Sequence, residues 1–160
     1  MKQHTRIIMA IIVIIFLSGI VITVDTMQRR QSLAPEPGSI PVIVQEKVKG
    51  YILPSQLLSL DKVNFIDSEE GKQQEGWLLS DVLDLAIDSG ELGSKSVINV
   101  SSSSRNKSVA ISWAEIQDRN NLVMFDMSNK GTLKLVSEKL VYLDTREEWV
   151  QDVDIIEVSP

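Results

Sequence analysis

Four acids, Asp67, Glu69, Glu70 and Glu75, crowd around Gly71. Clustered carboxylate oxygens are what a hard cation such as calcium takes as ligands. Their spacing does not follow an EF-hand loop, and a solvated acidic hairpin tip accounts for the same residues. A second polar run, Ser101-Ser-Ser-Ser104 with Arg105, Asn106 and Lys107, offers hydroxyls, backbone N–H groups and a guanidinium to a small anion or sugar phosphate. Serine runs also close hairpins through local hydrogen bonds, so a turn between two strands is the competing reading. Asp126 or Asp144 with a loop glutamate would give the two carboxyls of an acid–base hydrolase, but with so many acids in the chain nothing selects a pair. Trp77, Trp113 and Trp149 suit either a ligand wall or a core, and their positions beside helix caps and strand starts favour the core.

The absent residue types exclude more than the present ones suggest. The chain has no cysteine, which removes disulfides, thiolate nucleophiles, iron–sulfur ligation and lipid-modified cysteine. Its one histidine, His4, lies near the N-terminus, so residues 40–160 lack the usual zinc ligands and the usual neutral-pH base. Residues 40–160 keep 12 basic and 20 acidic side chains once Lys2, Arg6, Arg29, Arg30, Asp25 and Glu36 are set aside, a net charge of about −8. A surface of that sign repels a phosphate backbone, and no basic stripe with interleaved aromatics appears, so nucleic acid is not expected as a partner.

Positioning these groups begins at the N-terminus. Residues 7–24 run 18 positions without a charge, roughly 27 Å as a helix and close to the thickness of a bilayer core. The run exceeds the usual signal-peptide core, and Val-Asp-Thr-Met-Gln after it lacks the small-x-small pattern of a cleavage site, which favours a retained anchor over a cleaved leader. Lys2 and Arg6 precede the run, so the positive-inside rule places residues 1–6 in the cytoplasm and the rest outside the plasma (inner) membrane. Residues 25–39, with Pro35, Pro37 and Gly38, read as a tether. Residues 40–160 then form one soluble domain.

Within that domain β-branched segments predict strands at Ile40–Val44, Lys62–Ile66, Ser96–Val100, Val109–Ile111, Leu122–Phe125, Leu133–Val136, Lys139–Leu143 and Val153–Val158. Leu79, Val82, Leu83, Ala86 and Ile87 recur at helical spacing up to Gly90. Pro54 and Ser55 open another helix, and Ser112-Trp-Ala-Glu115 is a capping-box pattern for a third. The alternation predicts an α+β domain around one mixed sheet.

Several of these segments, in order, resemble the molybdopterin-binding domain of the sulfite oxidase family. They are Gly50-Tyr-Ile-Leu-Pro-Ser-Gln-Leu-Leu58, Gly76-Trp-Leu-Leu-Ser-Asp-Val-Leu83, Val109-Ala-Ile-Ser-Trp-Ala-Glu-Ile116 and Trp149-Val-Gln-Asp-Val-Asp-Ile-Ile-Glu-Val158. The resemblance implies that family's fold and places Asp67 near the position where catalytic members carry the molybdenum-binding cysteine. It also places Ser104, Arg105 and Asn106 at the cofactor pocket. Three glutamates follow Asp67, no arginine stands there to receive a phosphate, and the family's glycine, proline and arginine are missing from Ser137–Leu143. The expectation is therefore a membrane-anchored, extracytoplasmic binding module without molybdenum or another cofactor, meeting an envelope protein or a small ligand, and more a binder than an enzyme. The alternative is a molybdopterin-binding oxidoreductase or electron-transfer accessory using non-cysteine contacts. A third class is a structural subunit whose residues 7–24 pack against partner helices.

Overall fold

The structure is a computed structural model, and it describes residues 35–160. Nine strands are arranged in two sheets: β1 Ile40–Val44, β2 Lys47–Ile52, β3 Val63–Ile66, β4 Gln73–Leu78, β5 Val97–Ser102, β6 Lys107–Ser112, β7 Met124–Met127, β8 Leu133–Val136 and β9 Ile155–Ser159. The first sheet has the order β2-β1-β9-β5-β6 and the second β3-β4-β7-β8. The first is mixed, since β1 runs parallel to β9 while its other pairs are antiparallel. The second is antiparallel throughout. Among the described residues, three short helices, α1 Pro54–Leu57, α2 Leu79–Asp84 and α3 Trp113–Gln117, sit at strand ends.

This corrects the expected fold class. The domain is sheet-rich, with two sheets and helices of four to six residues, in place of an α+β layer on one mixed sheet carrying the sulfite oxidase fold. Two strands were hidden because they are polar in sequence: β2 reads KVKGYI with its first half exposed, and β4 opens on QQE, exposed at Gln73 and Glu75, before its buried Gly76, Trp77 and Leu78; edge or half-buried strands keep charge on their outer face. The long helix expected after Ser80 stops early because Leu85 and Ala86 donate to Val82 and Leu83, three residues back, which tightens the chain into a turn. The anchor expected at residues 7–24 lies outside the described residues. Among the described residues, no helix is long and apolar enough to cross a membrane.

Both sheets contribute to one core. Val42, Ile98, Val100 and Ile156 of the first meet Trp77, Phe125, Leu133 and Leu135 of the second, with Leu79, Val82 and Leu83 of α2 completing the cluster. The pattern follows the strand period of two: Ile98 and Val100 are buried while Val97 and Asn99 are not. A smaller cluster of Phe65, Met124, Val136 and Trp149 lies apart from it. Trp149 reaches this cluster from the chain beyond β8, where Val150 bridges to Leu135. Gly76 permits the second sheet to close, because a Cβ there would overlap the Phe125 carbonyl oxygen of the neighbouring strand. The capping box is present as read: Ser112 accepts from the Glu115 N–H, and the Glu115 carboxylate accepts from the Ser112 N–H.

Candidate functional site

Asp67 closes the β3–β4 hairpin. Its N–H donates to the Lys72 carbonyl at 2.9 Å, its carbonyl accepts from Gly71 N–H at 3.1 Å, and its Oδ1 accepts from Glu70 N–H at 2.7 Å. The side chain is buried, and its Oδ2 accepts from Gln74 Nε2 at 2.9 Å. The Glu70 N–H above all holds the carboxyl below its ordinary range, opposed by burial and helped by Gln74 and the Arg146 charge.

From Asp67 a chain of polar contacts crosses the second sheet. Gln74 Oε1 accepts from Lys134 Nζ at 2.6 Å, and Lys134 pairs with Asp126 Oδ2 at 2.9 Å. The ammonium also lies 4.6 Å from the centre of the Trp149 ring, with the Arg146 guanidinium 5.6 Å from the same ring. Two of the three Lys134 N–H donors are thus engaged and the ammonium lies over an aromatic ring, so the side chain is a fixed floor to what lies above it.

Beside this floor opens a groove of about 580 Å³. Lys62, Lys72, Lys134 and Arg146 line it together with Glu75, Asp126, Trp77 and Trp149. Lys62 pairs with Glu75 at 2.7 Å and sits 5.4 Å from the Trp77 ring. Glu70, at the hairpin tip, is shared between Lys72 at 2.6 Å and Arg146 at 2.7 Å, while the Arg146 N–H donates to Glu69 at 3.0 Å. The acidic loop thus turns its carboxylates onto cations. It forms no calcium cage, and among the described residues no three acids or histidines converge to hold a metal ion. Trp77, Trp113 and Trp149 are all buried, as the core reading expects. Trp149 alone of the three combines a separate small cluster with the groove wall.

No protein-family model matches this chain, and no curated protein matches it.

Ser104, Arg105 and Asn106 lie elsewhere, in the β5–β6 hairpin turn of the first sheet, where Asn106 adopts a φ of +49°. The turn is bound by acids: Ser103 N–H donates to both oxygens of Asp154, and Arg105 Nε donates to Asp152 Oδ2 at 2.7 Å. Thr132 Oγ1 donates to Asp152 Oδ1 at 2.7 Å, and this bond first, then Arg105, holds Asp152 below the usual carboxylate range. Ser104, Thr132, Asp152 and Asp154 rim a cavity of about 220 Å³ with a floor of Ile40, Ile52, Pro54 and Leu57.

The structure does not bring the expected pocket residues together. Asp67 belongs to the network beneath the groove, whereas Ser104 rims the small cavity, and no hydrogen bond among the described residues joins the two. Nor do these residues fit molybdopterin. The Asp67 carboxyl is enclosed by its own hairpin, the Arg105 guanidinium is paired with Asp152, and the cavity beside Ser104 is smaller than the ~300 Å³ at which small-molecule sites begin. Two carboxylates at its rim would repel a phosphate. The groove went unseen in the sequence because Lys134, Arg146 and Trp149 each stand alone there; Arg146-Glu-Glu-Trp149 offers only a cation three residues before an aromatic.

Proposed function

We propose that this chain is a binding module held at the outer face of the plasma membrane, and that it meets an envelope protein through the groove of its second sheet. The observation that carries this reading is a cluster of cations: four of the 12 in residues 40–160 line one groove, two of them paired with Glu75 and Asp126 in its lining and two sharing the exposed Glu70 at its rim, in a domain whose net charge is about −8. The half-exposed Arg146 with Lys62 and Lys72 gives a partner protein charged contacts at a concave surface, and the buried Trp77 and Trp149 back them from beneath. The charge-free run at residues 7–24 and the preceding Lys2 and Arg6 support the membrane placement.

The reading places no molybdenum or pterin in the domain. Its test is site-directed photocrosslinking of the full chain in its native host. A photoreactive residue at Gln73, in the groove, is expected to give a discrete adduct with another protein, and the same residue at Ser108 on the first sheet to give none. Absence of an adduct from Gln73, or the same adduct from Ser108, defeats the reading.

A further inference from the structure

The groove shows in its own contacts what it is built to hold. The Glu70 carboxylate sits between Lys72 and Arg146, and Glu69 accepts the Arg146 backbone N–H. These are the contacts a carboxylate from outside would make. They are also open to exchange: the side chains of Lys72, Glu70 and Arg146 are 62%, 40% and 38% exposed, and solvent screens ion pairs in such surroundings. The Lys134–Asp126 pair beneath them is 17% and 13% exposed and is held in addition by Gln74 and the Trp149 ring. The groove thus combines a fixed floor with an exchangeable rim. The Trp149 Nε1 and Arg146 Nε donors, both buried, find no acceptor among the described residues, and a buried donor left unpaired is unfavourable until an acceptor reaches it.

We infer that the groove binds an acidic peptide segment of the partner protein, whose carboxylates replace Glu70 on Lys72 and Arg146. This rests on the reading of the groove as the contact surface and adds the chemistry of the occupant. The β3–β4 hairpin tip then acts as a built-in competitor, and three of the four acids around Gly71 gain a role: Asp67 shapes the turn, and Glu69 and Glu70 shield the cations until an acidic ligand displaces them. The volume of about 580 Å³ accommodates several consecutive side chains, more than a single small anion fills. The net negative charge of the rest of the domain restricts binding to a segment that can reach this one groove.

The test is fluorescence anisotropy of a labelled short peptide of glutamate and aspartate, titrated with the full chain at physiological salt. A lysine peptide of equal length and unlabelled citrate serve as comparisons. Lys72→Gln and Arg146→Gln are each expected to weaken binding by about five- to tenfold, the loss of one charge-assisted contact. Glu70→Gln is expected to tighten it by about threefold or more, whereas Glu157→Gln, which removes the same charge from the first sheet, changes it by less than about twofold. Lys72 is exposed and its variant keeps the fold, so a folding defect in the Arg146 variant leaves the question decidable. Equal gains from Glu70→Gln and Glu157→Gln overturn displacement in favour of diffuse electrostatics. Citrate that competes as tightly as the peptide overturns the peptide in favour of a small polycarboxylate. No binding of the acidic peptide, with the Gln73 crosslink intact, defeats this inference and leaves the groove as the contact surface; loss of both defeats both.

Discussion

The two hairpin ends, β3–β4 on the second sheet and β5–β6 on the first, reverse each other's local charge. The β3–β4 tip is acidic in sequence, yet Arg146 holds its Glu69 and Glu70, and it borders the groove that Lys62, Lys72 and Lys134 line. The β5–β6 turn carries Arg105 and Lys107 in sequence, yet it is seized by Asp152 and Asp154 and borders an acidic cavity. In both places the deciding partner comes from far along the chain. Arg146 and Glu69 are 77 residues apart, Lys134 and Gln74 60, and Arg105 and Asp152 47. Local charge therefore describes a loop, and the residues folded against it decide what the loop can bind.

The contrast can be broken most forcefully at Gly76. Gly76→Ala would drive a methyl into the Phe125 carbonyl, part β4 from β7, and cost about 3 kcal/mol. Urea unfolding should show it, and a loss near zero would mean that the two strands do not approach as described. Lys134→Met comes next. It strands the Asp126 carboxylate and the Gln74 carbonyl in a half-buried setting and should cost about 2 kcal/mol in the same assay.

Asp67→Asn should cost about 1 kcal/mol at neutral pH and also alter the acid limb. The folded-state carboxyl of Asp67 is held below its ordinary value of 3.8, so its contribution is complete above that pH and is lost as the pH falls through the folded-state value. Stability curves below pH 3.8 should therefore be flatter in the variant than in the natural protein. Identical curves would remove Asp67 from the network. Arg105→Gln is the smallest effect: with the Arg105 side chain 47% exposed, the loss should stay below about 0.5 kcal/mol. A larger loss would make the first-sheet turn as fixed as the groove floor and erase the distinction between them.

Local rules recovered the elements that obey local physics. Ile40–Val44 and Leu133–Val136 are strands as their β-branched and apolar residues predict, and the Ser112–Glu115 box caps α3. The strand expected at Lys139–Leu143 is instead a turn. Ser137 Oγ accepts from Lys139 and Leu140 N–H and donates to the Asn121 carbonyl, so a serine side chain diverts a run whose apolar residues otherwise suit a strand. That diversion leads the chain on toward Trp149, which roofs the small cluster beside the groove. The acids around Gly71 were visible in the sequence as a cluster with Lys72 beside them; Arg146, which holds Glu69 and Glu70 from beyond β8, was not, because only the fold brings it there.

The most direct test of the central claim is chemical-shift mapping of the isotope-labelled full chain with the acidic peptide, following backbone amides at both hairpin ends in one titration. The account predicts shifts confined to the groove, at Lys72, Gln73, Lys134 and Arg146 and at the Trp149 indole N–H, with Thr132, Asp152 and Asp154 unmoved. Shifts centred on the Asp152 cavity, or spread evenly over the domain, would contradict it.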